Sequence, residues 1–460
     1  MKQKYDVIIV GAGPAGIFAA LELSEGGNHR TLMLDKGPEL EKRVCPQQTT
    51  GECKHCNPCQ LISGWGGAGA FADGKLTLSP EVGGHLGHIL PPGEATRLIQ
   101  EVDQTWVRFG ASGVVHGTDM DEIERLQKKA AQAGLQLVIN PIRHMGSDRT
   151  RDILRAMRDE LAARGVEMRM HTPVEDLVVQ DGRVVGVSTA RGDMFEGRFV
   201  IIAPGREGAS WLSEQAKRLN LRLSRNPVDV GVRVELPATV LEPLTRATYE
   251  PKLIYYSRAF DDKVRTFCVC PYGEVVTEYV EDVVTVNGHS YADRKTDNTN
   301  FAILVSKSFT EPFKEPIAYG KYIARLANLL GGGVIVQRLG DLEQGRRSTV
   351  DRMSRSIVRP TLQAATPGDL GLVFPYRHLA NILEMLRAMD QVAPGVFSRH
   401  TLLYGVEVKF YSSRLQLTPA LETQVQGLFA AGDGVGVTRG LVQASASGVI
   451  AAREIAQRLG

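Results

Sequence analysis

The chain has 460 residues, a net charge of +2, 43% hydrophobic and 23% charged residues. That length allows about two or three domains with a sizeable core, and the composition is ordinary for a soluble globular protein. Near-neutral charge gives no compositional case for a nucleic-acid or membrane partner, and no stretch reaches the roughly 18 to 20 apolar residues of a membrane span. The apolar N-terminus lacks the small-residue cleavage pattern of a signal peptide, so a cytoplasmic location is expected.

The chain opens with "YDVIIVGAGPAGIFAALELSE". Tyr5 to Val10 has the length and composition of a strand, Ala15 to Ser24 reads as a helix, and between them lies G-x-G-x-x-G at Gly11, Gly13 and Gly16. A second strand-like run, "RTLMLDKG", ends at Asp35 and Lys36, about twenty residues on, where a ribose-binding carboxylate belongs. Gly11 permits the tight turn, Gly13 lets backbone approach a pyrophosphate, and Gly16 lets helix and strand pack closely. The helix start at Ala15 supplies N–H donors and a positive dipole end. This pattern predicts dinucleotide binding without separating FAD from NAD.

Four of the six cysteines follow, Cys45, Cys53, Cys56 and Cys59, spaced C-x7-C-x2-C-x2-C in a stretch broken by Pro46, Gly51 and Pro58. In a reducing cytosol such a cluster argues for metal or redox chemistry over structural disulfides. Three readings stay open: an iron–sulfur cluster of the [4Fe–4S] kind, a structural zinc with His55 as an alternative ligand, and a redox dithiol at Cys53 and Cys56. The Gly-rich "GWGGAGAFADGKL" that follows, with Gly67, is expected to line a pyrophosphate or a flavin edge.

Two charged helices are expected within "DEIERLQKKAAQAG" and "SDRTRDILRAMRDELAARG". "VEDLVVQDGRVVGVSTA" then reads as a hairpin turning at Asp181-Gly182, and "FVIIAPGREGASWL", containing Gly205, as a further strand. From Asn226 onward, strands are expected at Val228 to Glu235, Lys252 to Tyr256, Val264 to Val269 and Glu274 to Tyr279, with helices at Ile317 to Leu330 and His378 to Met389. Cys268 and Cys270 lie two apart in a strand, which reads as a pair of buried small hydrophobes that cannot easily bridge. "LLGGGVIV" has its glycines before a strand, the wrong order for a second dinucleotide site. Near the end, Leu428 to Ala431 reads as a strand, followed by Gly432-Asp433 and a helix from Leu441 and Val442.

"GLFAAGDGVGVTRGLV" resembles the C-terminal GD motif of two-dinucleotide-domain flavoproteins, and "FVIIAPG" resembles their apolar-strand segment. "CNPCQLISGWGGAGAFADGKL" and "VVTVNGHSYADRKTDNTNFAILVS" resemble the bacterial uncharacterised FAD-dependent dehydrogenases of the glutathione-reductase-like superfamily. The resemblance implies FAD as cofactor and an α/β fold: a Rossmann-like FAD-binding domain built from discontinuous segments, with a mixed α+β substrate/lid domain. It also implies that Asp433 bonds the ribityl chain and that the helix start at Leu441 and Val442 faces the flavin N1/C2=O edge. The expected boundaries are 1–117, 140–224 and 405–460 for the FAD-binding parts and 226–404 for the lid.

No nicotinamide module of its own is legible. Electrons are expected from the substrate, from transiently bound NAD(P)H, or from a ferredoxin-like carrier; a homo-oligomer stays open. Asp73, Lys75, His289 (placed in a turn by "VNGHS"), Arg346, Arg347, Glu407, Arg414 and Arg439 lie in motif-like segments without one evident acid or base. Arg346 and Arg347 read either as binders of an anionic substrate or as solvated charges. The leading expectation is an FAD-dependent oxidoreductase acting on a small organic molecule by hydride transfer at flavin N5. The alternatives are an RNA-modifying flavoprotein with structural zinc and a redox sensor or electron-transfer protein.

Overall fold

The computed structural model describes residues 3–26, 29–46, 54, 56–71, 74–145, 147–224, 227–280, 282–290, 294–309, 315–409 and 414–460. The chain divides into two compact units, one made of Met1–Val114, Arg143–Arg225 and Ser412–Gly460, the other of Val115–Ile142 and Asn226–Tyr411.

The first unit is built on a seven-stranded sheet. Glu167–Arg169, Thr31–Leu34, Gln3–Val10 and Met194–Ile202 run parallel in that order. The strand Met194–Ile202 divides one edge between two partners. Its first residues pair antiparallel with Arg183–Thr189, which continues to Val174–Gln180. Its last residues, Val200 to Ile202, pair parallel with Leu428–Ala430. The expected hairpin and GD strand are therefore both present. Successive residues of the first strand face opposite cores: Val7 and Ile9 enter one apolar cluster, Ile8 and Val10 another. A sheet covered on both faces explains why these strands read as unbroken apolar runs.

Register decides where the loops leave this sheet. Val10 stands beside Leu34 and Ile202, and Ile202 beside Ala430. Four parallel strands thus end in one row, and the glycine-bearing segments after them emerge from a single edge. The order of strands reverses about Gln3–Val10, which makes this edge the switch point where open α/β sheets take their ligands.

The second unit carries an eight-stranded sheet in the order Thr366–Pro367, Ile335–Arg338, Leu402–Lys409, Val228–Pro237, Asn298–Lys307, Lys263–Cys270, Lys252–Tyr256 and Leu135–Val138. A separate hairpin joins Glu274–Val280 to Val283–His289. The expected strands and both helices are found, the helices as Pro316–Gly331 and Tyr376–Val392. His289 ends a strand opposite Glu274 rather than lying in a turn, because the ladder runs past "VNGHS".

Two central strands were not expected. Asn298–Lys307 opens with Asn-Thr-Asn, residues that favour turns. Leu402–Lys409 is buried along its whole length although it contains Glu407 and Lys409. It hydrogen-bonds Val228–Pro237 on one side and Ile335–Arg338 on the other. Residues 405–409 lie in the second unit, as do residues 115–142.

Asp341, fully buried, accepts from Arg338 Nε at 2.9 Å, Arg346 Nε at 3.0 Å and Ser348 Oγ at 2.8 Å. Burial alone would raise its pKa. The three donors outweigh that and hold it at about 2, below the ordinary 3.8. A depressed carboxylate contributes stability above its unfolded pKa that is lost as pH falls through its folded one. We expect about 2 kcal/mol of stability at pH 5 to fade between pH 4 and pH 2. Urea melts of wild type and Asp341→Asn across that range should converge at the acid end; parallel curves would refute the assignment.

Candidate functional site

Gly11 has φ of +111° and a Cβ built there would sit 2.1 Å from the Ala203 carbonyl oxygen. A Cβ on Gly16 would sit 2.0 Å from the Gly11 oxygen. Both glycines are required by the protein's own packing. Gly13 is not: it caps the helix Pro14–Leu23 with φ −82° and ψ −176°, a conformation open to any residue. Its Cβ would meet nothing nearer than the Gly67 Cα at 3.9 Å. This is open space at the N-terminus of a helix, whose first N–H groups have no intrahelical acceptor.

Other loops converge on this one. Gly66 N–H donates to Ala12 O at 2.8 Å, and a Cβ on Gly67 would come 3.0 Å from the Gly13 Cα. Asp35 ties the cradle together: Oδ2 accepts from Ala12 N–H at 2.8 Å, and Oδ1 from Gly37 at 2.8 Å and Gly64 at 2.9 Å. A carboxylate offers about four acceptor positions, so three are used by backbone. Lys36 forms an ion pair with Glu207 at 3.4 Å. Gly205 has φ of +64° with open space around it, and a Cβ on Gly434 would lie 2.2 Å from its carbonyl oxygen.

Asp433 closes the last turn. Its Oδ1 accepts from Thr438 Oγ1 at 2.8 Å and its Oδ2 from Gly440 N–H at 3.1 Å. Gly432 N–H donates to Ser447 Oγ at 2.8 Å. The helix Leu441–Leu459 begins at Gly440, φ +112°, again with open space. It crosses Pro14–Leu23 so closely that a Cβ on Gly448 would lie 1.9 Å from Ala15 O. The Val442 side chain is core, while Leu441 is half-buried and reaches the Gly69 backbone. Gln443 Nε2 donates to Pro80 O and Val82 O at 3.2 and 3.0 Å. That latch was not legible from sequence, since its partners lie more than 350 residues away in the chain.

Beside the cradle, Arg43 is wholly buried and donates to the carbonyls of Gln60 at 3.0 Å, Leu61 at 2.8 Å and Trp65 at 2.6 Å. Burial lowers its pKa to about 10. This residue folds the loop after Cys59 and had no motif to announce it. Cys59 N–H donates to Glu207 Oε1 at 3.3 Å, and Ser63 donates to Glu207 Oε2. Burial raises the Cys59 thiol, with Glu207 and Cys45 adding to it. Among the described residues no three His, Cys, Asp or Glu side chains group as a metal site would need. Cys53 and His55 lie outside the described residues, as does Asp73.

The other sequence candidates scatter. Arg346 Nε forms an ion pair with Asp341 at 3.0 Å. Arg347 is exposed. Lys75 lies in the strand Lys75–Thr77, Arg414 pairs with Ser224, and Arg439 N–H donates to Gly83 O at 2.6 Å. Glu407 is buried in the second unit, 3.4 Å from Arg233 Nη1 and 3.1 Å from Lys409 Nζ. Burial alone would lower both cations; Glu407 together with the two cysteines around Arg233, and together with Glu278 and Cys268 around Lys409, outweighs it and holds each above its ordinary value. His378, also in the second unit, is buried with neither ring nitrogen bonded among the described residues. Burial lowers its pKa to about 4, which keeps it neutral at pH 7.

Parallel strands ending in one row of glycine loops, two helix N-termini among them and a carboxylate after the second strand, define a dinucleotide-binding protein. Residues 6–43 match the FAD binding domain model. Residues 227–410 match the model described as FAD-dependent protein, C-terminal domain-like, and residues 363–460 that of glucose inhibited division protein A. Two of these three models describe proteins that use FAD, so the dinucleotide this chain is built for is FAD.

An uncharacterised protein of Clostridium beijerinckii is 26% identical over 475 residues, covering 98% of this chain and 80% of its own length. The tRNA uridine 5-carboxymethylaminomethyl modification enzyme MnmG of Streptococcus pyogenes is 24% identical over 204 residues, 44% of this chain but 24% of that enzyme. Among solved structures, 3-ketosteroid-Δ4-(5α)-dehydrogenase of Rhodococcus jostii RHA1 aligns with a TM-score of 0.45 at 14% identity, covering 99% of this chain and 97% of that one. Among the described residues no helix is long and apolar enough to cross a membrane.

Proposed function

We propose that the glycine-lined edge of the first unit holds FAD and that the chain oxidises or reduces a small organic molecule. Bound FAD supplies hydride exchange at N5. The observation that carries the placement is Gly13, the one fingerprint glycine that neither backbone conformation nor neighbouring atoms require. In this reading Gly11, Gly13, Ala15 and Gly16 present backbone N–H groups and space to the pyrophosphate, and Gly67 closes the far wall. Asp35 orders the loop through Ala12 and keeps one acceptor position for a ribose hydroxyl, with Lys36 and Gly205 beside it. Gly432 and Asp433 set the turn that aims the helix start at Leu441 and Val442. A positive helix end there stabilises negative charge on the reduced ring.

Anaerobic titration of the purified flavoprotein with NADH and then NADPH tests the electron source. Bleaching of the flavin band within seconds assigns a transient nicotinamide donor; an unchanged spectrum with both refutes it and leaves the substrate or a ferredoxin-like carrier.

The proposal also includes Cys45, Cys53, Cys56 and Cys59 as one thiolate site for an iron–sulfur cluster or zinc, supported by their spacing. Metal and sulfide analysis of anaerobically purified protein checks it. About four irons and four sulfides per chain are expected for a [4Fe–4S] site; a metal-free protein rejects it. A second reading, a flavoprotein acting on RNA, is favoured by the MnmG likeness. Against it stands the near-neutral charge, since phosphate contacts need clustered cations. A gel shift with tRNA that fades with salt would establish that reading, and no shift at low salt would remove it.

A further inference from the structure

We infer that Cys268 and Cys270 form a redox-active dithiol that closes to a disulfide by exchange with a low-molecular-weight disulfide. In a regular strand, residues two apart stand about 6.6 Å from one another, at the upper end of what a disulfide spans. This strand is not regular. Its pairing with Asn298–Lys307 shifts register between Phe267 and Cys270, and Cys268 has φ of +44°. A non-glycine residue in that region inside a strand is a conformational outlier, and such outliers gather at functional sites. The consequence is that the two Sγ atoms lie 3.9 Å apart. Neither sulfur is part of a disulfide.

Two cations face the sulfurs and offset part of the cost that burial sets on a thiolate. Arg233 Nη2 donates to Cys270 Sγ at 3.2 Å and to the Cys268 carbonyl at 2.7 Å. The Lys409 ammonium feels the Cys268 sulfur as well. Glu407 faces both cations, at 3.4 and 3.1 Å, and Glu278 faces Lys409 at 3.4 Å, so the cations are held in place rather than left mobile. A guanidinium donating directly to sulfur lowers the cost of the thiolate. The two thiols differ in access: Cys270 is fully buried, Cys268 only partly.

That asymmetry assigns the roles. The Cys268 thiolate attacks one sulfur of the small disulfide RSSR, forming a Cys268–SR mixed disulfide and releasing RS⁻. The Cys270 thiolate then attacks the Cys268 sulfur and releases the second RS⁻. The two thiol protons end on two RSH; the protein dithiol loses two electrons and RSSR gains them.

The test uses the full-length flavoprotein titrated with oxidised glutathione, followed by alkylation and mass spectrometry. Trypsin releases Thr266–Arg294 as one peptide containing these two cysteines and no other. The expected result is a peptide lighter by two hydrogens and refractory to alkylation. Cys270→Ser should retain glutathione on Cys268, whereas Cys268→Ser should leave Cys270 unmodified. Half-closure in guanidinium-unfolded protein should need at least about tenfold more oxidised glutathione. Two alkylated cysteines at every ratio, equal adducts in both variants, or equal closure in folded and unfolded chains would each overturn the inference.

Discussion

Gly13→Ala is expected to leave the apoprotein folded and to abolish tight FAD binding. The new methyl enters open space, its nearest neighbour 3.9 Å away, and the backbone at this position already has angles that alanine adopts. As the residue capping a helix, alanine is poorer than glycine by about 0.5–1 kcal/mol, a drop of about 2 °C in Tm. The space it fills is the space a pyrophosphate needs. Displacing it forfeits one or two hydrogen bonds to a charged group, about 1.5–3 kcal/mol each. The affinity should fall roughly 100-fold. Gly16→Ala is the contrasting control: its methyl would overlap the Gly11 carbonyl, so fold and cofactor should fail together. Reconstitution titrations followed by flavin fluorescence, with thermal melts of each apoprotein, separate the two cases. A Gly13→Ala protein that keeps FAD within a few-fold of wild type would remove the pyrophosphate from this loop.

The second large effect is expected at Arg233. Arg233 and Glu407 are both fully buried, and the guanidinium also serves Asn300 Oδ1 at 2.8 Å. Arg233→Met deletes one of the two cations that neutralise buried Glu407 and leaves it with Lys409, 3.1 Å away. Breaking a buried pair in this way costs about 3–5 kcal/mol, a large part of a domain's net stability of about 5–15 kcal/mol. Gly288 belongs to the same arrangement, since a Cβ there would overlap Arg233 Nη2. Guanidinium melts should show the loss in Arg233→Met, and Arg233→Met with Glu407→Gln should lose less than the sum of the singles. A single-variant loss below about 1 kcal/mol would show that Lys409 alone is enough to neutralise Glu407.

Much of the cofactor edge was legible because its signals are local. Strand, glycines, helix and Asp35 lie within one βαβ length, and the hairpin turn announces itself at Asp181-Gly182. The position of Glu407 was not legible. "VEVKFYSSR" carries the charges of an exposed strand and lies close in sequence to the GD motif, which suggested proximity to the flavin. Burial of Glu407 is tolerable because Arg233 comes from a different strand, 174 residues earlier, and Lys409 is compensated by Glu407 and by Glu278 of another strand. The 3.9 Å approach of the Cys268 and Cys270 sulfurs was not legible for the same reason: a regular strand would hold them apart, and the bulge that brings them together is set by pairing with Asn298–Lys307.

Sequence alone determined the strand–glycine–helix turn of a dinucleotide-binding fold, and it showed no second such unit. It did so because apolar periodicity, glycine spacing and turn dipeptides act over a few residues and need no partner. Tertiary structure decided which four strands end in one row, that Glu407 is buried against Arg233 and Lys409, and that Asp341 collects Arg338, Arg346 and Ser348. Those outcomes depend on desolvation and on donors brought from distant segments, and neither exists until the chain has folded.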